Sequence, residues 1–208
     1  MLTIGLTGNV ASGKSTVADR WRERGALVIA ADRLGHDVLR DDAAARAALV
    51  EAFGDGILGP DGAIDRRALG ERAFADPEAT DRLNAIVHPP LLTRLDRELA
   101  GARAAGCEIA VIDAALVFEF GIDAAMDLNV LVISSRGVRA ERLRARGLDE
   151  ARIERIMASQ MPDAEKAAAC DFVIENDGSI EDLLTRADEV LDAIRAGRDT
   201  NNRGGPDG

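Results

Sequence analysis

Five short runs along the chain are apolar at nearly every position and rich in β-branched residues: Leu2 to Thr7, Ala26 to Ala31, Glu108 to Asp113, Leu128 to Ser134 and Asp171 to Glu175. Each has the length of a strand, and none alternates as a half-solvated strand would. They predict strands buried on both faces. Between them lie long Ala/Arg/Leu/Glu stretches with helical periodicity, the first carrying Trp21 on its apolar side. Strand–helix alternation of this kind gives an α/β fold, a mostly parallel sheet covered by helices on both faces. The interval 33–106 is far longer than one crossover helix needs. It holds a turn-rich loop from Gly54 to Gly62 with Pro60, then helices broken at Asp76-Pro77 and at His88-Pro89-Pro90, and reads as a helical insertion standing over the sheet. A second helical excursion, 138–169, separates the fourth and fifth strands. The sheet core is then about 1–32, 107–137 and 170–198, within a single domain of 1–198. From Asp199 to Gly208 the chain has nothing to bury and is expected to lack structure.

The link between the first strand and its helix carries chemistry. Gly8-Asn9-Val10-Ala11-Ser12-Gly13-Lys14-Ser15 fits G-x-x-x-x-G-K-[ST]. Glycines allow turns that aim successive N–H groups at one point, and the next helix adds its positive end. Lys14 would place a point charge on the β- and γ-phosphates, and the Ser15 hydroxyl would ligate Mg²⁺. In a chain of this composition the pattern arises by chance on the order of once per thousand sequences. A glycine turn without ligand is therefore a poor account of it, and the loop is read as a nucleoside-triphosphate site.

Composition narrows the class. The 208 residues suffice for one sizeable core. Apolar residues make up 47% and charged residues 30%, an ordinary globular balance. No apolar run approaches the roughly 18–20 residues that span a bilayer. Met1-Leu2-Thr3-Ile4 lacks the basic start of a secretory signal, so a cytoplasmic location and no membrane partner are expected. Cys107 and Cys170 have no metal-type spacing and read as reduced, half-buried residues. The formal charge of −11 argues against a nucleic-acid partner and requires a local positive cluster to hold any phosphate. Of the 26 basic residues only Lys14 and Lys166 are lysines. Where Arg has replaced Lys so widely, a retained Lys points to a place that needs a compact ammonium.

A phosphate loop alone leaves kinases, GTPases, motors and transport ATPases open. No Asn-Lys-x-Asp segment follows it, and no Leu-Ser-Gly-Gly segment occurs, which favours a small-molecule kinase. Asp32 follows the second strand at the sheet end where ligands sit, and could orient an acceptor hydroxyl and take its proton. Alternatively it caps a helix starting at Arg33. Asp113 closes the third strand and could hold Mg²⁺ through water, or cap a turn. Arg142 and Arg146, four residues apart, share a helix face on an arginine-rich lid suited to charge neutralisation and exclusion of water. His88, beside Pro89-Pro90, reads by itself as a structural hydrogen-bonding group.

Together these residues resemble the dephospho-CoA kinase family over most of the chain, from Leu2 to about Ala196. The resemblance rests on Leu6-Thr7-Gly8 leading into Ser12 to Thr16, Val28 to Asp32, Leu83 to Pro89, and Asp113 to Gly121 with Leu116, Phe118 and Glu119. It continues through Arg142 to Arg146, Ser159-Gln160-Met161, Glu165-Lys166 and Asp171 to Gly178. It implies a P-loop kinase fold with a five-stranded parallel sheet, a helical substrate-binding insertion and a helical lid. It also implies ATP and Mg²⁺ acting on dephospho-CoA, whose ribose 3′-hydroxyl receives the phosphoryl group in the last step of coenzyme A synthesis. Gly8, Ala11, Ser12, Gly13, Lys14, Ser15, Thr16, Arg142, Arg146 and Asn176 would hold ATP, with Asn176 bordering the adenine. Asp32, His88 and Asp113 would meet the acceptor, Ser15 the metal, and Lys14, Asp32 and Arg142 would be catalytic. The family's usual residues are replaced at Ala30, Ala115, Val117, Ala167 and Ala169, leaving Lys166 the sole cation of its stretch. A nucleoside or nucleoside-monophosphate kinase and a non-catalytic ATP-binding module are the competing readings. A monomer or weak homo-oligomer is expected.

Overall fold

The computed structural model describes residues 1–115 and 122–203, with the backbone alone for 198–203. In chain order the elements are β1 (Leu2–Thr7), α1 (Lys14–Glu23), β2 (Leu27–Ala30), α2 (Ala31–Asp41), α3 (Ala43–Phe53), α4 (Arg66–Ala73), α5 (Pro77–Ala104), β3 (Ile109–Asp113), β4 (Leu128–Ile133), α6 (Arg136–Ala145), α7 (Glu150–Ala158), α8 (Asp163–Ala168), β5 (Phe172–Glu175) and α9 (Ile180–Arg203). Each of the five apolar runs contains a strand, trimmed by at most a residue at either end. The chain divides into two compact units, Met1–Ile29 with Gly106–Gly208, and Ala30–Ala105.

In the first unit the strands stand in the order β2-β3-β1-β4-β5. Central β1 runs parallel to β3, with Leu6 opposite Asp113, and parallel to β4, with Thr7 opposite Leu131; β5 is parallel to β4. Burial on both faces explains the unbroken apolar runs. In β3, Ile109 and Val111 join a core with Val17 and Trp21 of α1 and Leu183 and Leu191 of α9, while Ala110 and Ile112, directed to the opposite face, are equally buried. The Trp21 indole N–H donates to the carbonyl of Ala187 at 2.8 Å, so its one polar atom is satisfied inside that core. Both cysteines are free and half-buried. Burial pushes the Cys170 thiol up to about 11, which keeps it protonated and unreactive at neutral pH.

The second unit is helical. Leu49, Ile57, Leu69 and Ala73 form one core with Leu83, Ile86 and Val87 of α5; Val38, Ala45 and Leu91 form another. Asp76 caps α5 by accepting from the amide of Ala79 at 2.7 Å, and Pro77 occupies its first turn, where a missing N–H costs nothing. The expected break at His88-Pro89-Pro90 does not occur: α5 runs through both prolines to Ala104. A proline inside a helix removes one hydrogen bond and crowds the preceding turn. Here apolar packing grips the helix on both sides of the pair, through Leu83, Ile86 and Val87 before it and Leu91 after it. Tertiary burial thus outweighs the local penalty.

Helix α9 also runs on to Arg203, past the Asp199 boundary expected from composition. Extending an existing helix fixes one residue per hydrogen bond and is far easier than nucleating one. No helix among the described residues is long and apolar enough to cross a membrane.

Candidate active site

The carboxyl ends of β1, β3, β4 and β5 meet at one edge of the sheet, and all of their functional groups lie in the first unit. β1 leads directly into the phosphate loop. A Cβ on Gly8 would lie 2.6 Å from both the Ser12 hydroxyl and the Val132 carbonyl, so only glycine fits there. The loop turns through an Asn9 carbonyl that accepts from the Ser12 amide at 3.0 Å. Gly13 has φ 103°, open to glycine, and a side chain there would drive into the Asn176 amide. Helix α1 starts at the next residue with no side-chain cap. The amides of Gly13, Lys14 and Ser15 meet no acceptor among the described residues, the arrangement that receives an anion at a helix N-terminus.

Lys14 forms an ion pair with Asp113, both side chains being more than four-fifths buried. The turn-capping role considered for Asp113 is not what the fold uses it for: closing β3 places its carboxylate on the loop lysine. Ser15 is exposed, and its hydroxyl has no hydrogen-bond partner among the described residues. No group of three or more His, Cys, Asp or Glu side chains that could hold a metal occurs among the described residues. One hydroxyl and one carboxylate make a sparse set of hard oxygen donors. That suits Mg²⁺, which takes few protein ligands and completes its shell with phosphate oxygens and water.

Arg142, expected on the ATP side, is built into the loop's far wall. Its Nη1 donates to the Ala11 carbonyl at 3.1 Å and the Ser134 hydroxyl at 3.3 Å; its Nη2 donates to the Asn176 carbonyl at 3.0 Å and side-chain oxygen at 3.2 Å. Asn176 in turn donates from Nδ2 to the Ser12 carbonyl at 2.7 Å. Its amide is thus committed at both ends and fixes the wall of the cleft. Arg142, Arg146, Asn176 and Thr16, with Ile180 and Leu183 of α9, line a cleft of about 220 Å³.

Asp177 holds that wall from behind, accepting from the Ser135 amide at 2.7 Å and the Ser134 hydroxyl at 2.8 Å. These bonds, the backbone one foremost, hold its carboxyl below the usual range. A depressed carboxyl pKa means that the stabilisation is present above the unfolded value near 3.8 and fades as pH falls through the folded one. Asp177→Ala is expected to lower unfolding free energy at pH 7 by about 1 kcal/mol, discounted for the exposure of the carboxylate. Urea unfolding should show the gap closing below pH 4. A gap that is constant with pH would disprove this assignment.

The other candidates fall differently. Helix α2 begins at Ala31 with Ala30 as its cap, so Asp32 lies inside the first turn and does not cap the helix. Its carboxylate is exposed and has no hydrogen bond or ion pair among the described residues. His88 is half-buried midway along α5, and burial lowers its imidazole pKa, which keeps it neutral at pH 7. Both belong to the second unit. Leu116 to Gly121, part of the sequence signature, lie outside the described residues. Lys166 is no surface cation. It is fully buried and donates to the Ala115 carbonyl at 3.3 Å, which also accepts from Thr7 at 3.3 Å. The chain's two lysines are therefore both enclosed near the loop.

Sequence reasoning gave no role to Asn9, Gln160 or Asp163, which meet at the loop. Gln160 was visible only within the Ser159-Gln160-Met161 resemblance, and nothing local marked it as a partner of a loop 150 residues earlier.

The model of the dephospho-CoA kinase family matches residues 2–182. A dephospho-CoA kinase of Corynebacterium efficiens is 45% identical over 195 residues, covering 93% of this chain and 98% of its own. That of Anaeromyxobacter dehalogenans is 45% identical over 199 residues, covering 95% and 94%. Among solved structures, a Thermus thermophilus protein superposes with TM-score 0.79 at 34% identity over 94% of this chain and 97% of its own. A shikimate kinase of Bacteroides thetaiotaomicron, at 14% identity and TM-score 0.51, shares the fold alone. By the family model over residues 2–182 and by relatives 45% identical over most of their length, the chain belongs to the dephospho-CoA kinase family.

Proposed function

We infer that this chain transfers the γ-phosphoryl group of ATP to the ribose 3′-hydroxyl of dephospho-CoA, giving coenzyme A and ADP. Family membership over residues 2–182 carries this reading, with the phosphate loop supporting it residue by residue. Phosphoryl transfer needs little covalent help from the protein; it needs in-line placement and compensation of charge.

The free amides at the start of α1 and the ammonium of Lys14 would hold the β- and γ-phosphates. On binding, Lys14 would share its charge between the phosphates and Asp113. Ser15 and Asp113 would hold Mg²⁺, which would offset phosphate charge when bound. The base would lie in the cleft against Ile180 and Leu183; Ile180 is 57% exposed, an apolar side chain otherwise facing water. Arg142 would act chiefly by holding the loop carbonyl of Ala11, and Arg146, at the end of α6, would add positive charge at the cleft mouth. Asp32, with no side-chain partner among the described residues, would accept the acceptor hydroxyl's hydrogen bond and take its proton. The helices of Ala30–Ala105, including His88, would bear the coenzyme A side, and α6 to α8 would act as the lid. The protein would work in the cytoplasm, as a monomer or weak homo-oligomer.

The test is ADP release with dephospho-CoA, AMP, CMP and deoxynucleosides offered in competition. Acceleration is expected with dephospho-CoA alone. If dephospho-CoA did not raise ADP release above background hydrolysis, the reading would fail.

A further inference from the structure

Four consecutive residues of the phosphate loop are each held by a different side chain from the segment between β4 and the start of α9. Asn9 donates from Nδ2 to Asp163 Oδ1 at 2.7 Å and to the Met161 carbonyl at 3.0 Å. The Val10 amide donates to Gln160 Oε1 at 3.1 Å. The Ala11 carbonyl accepts from Arg142 at 3.1 Å and the Ser12 carbonyl from Asn176 at 2.7 Å. The contacts of Asn9 are shielded from water, since it is 4% exposed. Arg139, 8% exposed, meets the other oxygen of Asp163 at 3.3 Å, so one carboxylate serves both the loop and α6.

At the centre of this grip Ala11 has φ 62°, the only left-handed residue other than glycine among those described. An L residue is held there at a cost, and left to itself the peptide would rotate away. The bond at Val10 lies directly before the strained residue and the bond at Ala11 directly after it. Rotation at residue 11 would re-aim the amides that follow, including those at the start of α1.

We propose that the turn from Gln160 to Asp163 is a latch that positions the phosphate loop for the triphosphate, with Gln160 and Asp163 as positioning residues acting through Val10 and Asn9. The latch rests on the reading of this loop as an ATP site. It also ties the loop to α6 and α8, so whatever fixes the loop steadies that segment, and the reverse holds by linkage.

The test uses the full chain and measures ATP affinity without acceptor, by competition with a fluorescent ATP analogue, alongside melting temperature and steady-state kinetics. Gln160→Leu removes the acceptor for Val10. Asn9→Asp sets two carboxylates face to face. Gln160→Glu keeps a side-chain oxygen that can accept from the Val10 amide. Gln160→Leu is expected to weaken ATP binding and raise KM for ATP about tenfold, one lost hydrogen bond's worth, and Asn9→Asp at least as much, while KM for dephospho-CoA moves less than about twofold in both. Gln160→Glu should stay within about threefold of wild type. Two results would overturn the latch: Gln160→Leu or Asn9→Asp that binds ATP normally while melting earlier, or Gln160→Glu no better than Gln160→Leu. Wild-type protein that binds ATP but ignores dephospho-CoA would refute the acceptor assignment instead, with the latch still supported by the same affinity series.

Discussion

Lys14→Ala is expected to lower kcat/KM by about 10³-fold or more, the loss seen when one preorganised charge is removed from a developing anion. Lys14 combines two roles in this fold. It supplies the point charge of the phosphate loop, and it is the ion partner of Asp113 at the end of β3. Removing it leaves that mostly buried carboxylate without its partner, so melting temperature should fall as well. Lys14→Arg separates the two effects. A guanidinium can still pair with Asp113 and preserve stability, but its planar fork does not reproduce a compact ammonium at this enclosed position. Activity should remain at least about tenfold down in Lys14→Arg while the melting temperature recovers. Full activity in the arginine variant would refute the idea that retained lysines mark sites needing an ammonium.

Asp32→Asn should have the second largest effect, a fall in kcat of about 10³-fold, within the range for loss of a positioned acid–base group. The substitution is nearly isosteric, and Asp32 caps nothing and makes no ion pair among the described residues. The folding cost is confined to a favourable charge in the first turn of α2, a few tenths of a kcal/mol. ATP affinity and melting temperature should therefore stay close to wild type while turnover collapses. Normal turnover in Asp32→Asn would return this residue to an ordinary role at a helix start and move the search for the proton acceptor elsewhere.

Much of the framework was legible because it depends on short-range pattern. A strand buried on both faces must be apolar throughout, and the five runs announced five strands to within a residue. The Gly8 to Ser15 loop was legible for a similar reason: backbone groups can converge on a phosphate only where Gly8 and Gly13 remove a Cβ that would collide with neighbours. The prolines at 89 and 90 misled because a helix-breaking penalty is local, whereas the packing of Leu83, Ile86, Val87 and Leu91 that overrides it comes from other helices. Arg142 and Asn176 were expected on the ATP side, and the sequence did not show what their side chains bond to. Their side chains hold the loop's carbonyls, and no spacing rule distinguishes an arginine that touches a ligand from one that shapes the loop around it.

By itself, then, the sequence determined the strands, the phosphate loop and the resemblance that names the family, since each is written in contiguous residues. Only the tertiary structure decided that Asp113 pairs with Lys14, that Lys166 lies buried against Ala115, and that Gln160 and Asp163 grip Val10 and Asn9. Those contacts join residues about 50 to 150 positions apart. They exist because parallel strands bring their carboxyl ends to one edge of the sheet, a consequence of topology that no local pattern encodes.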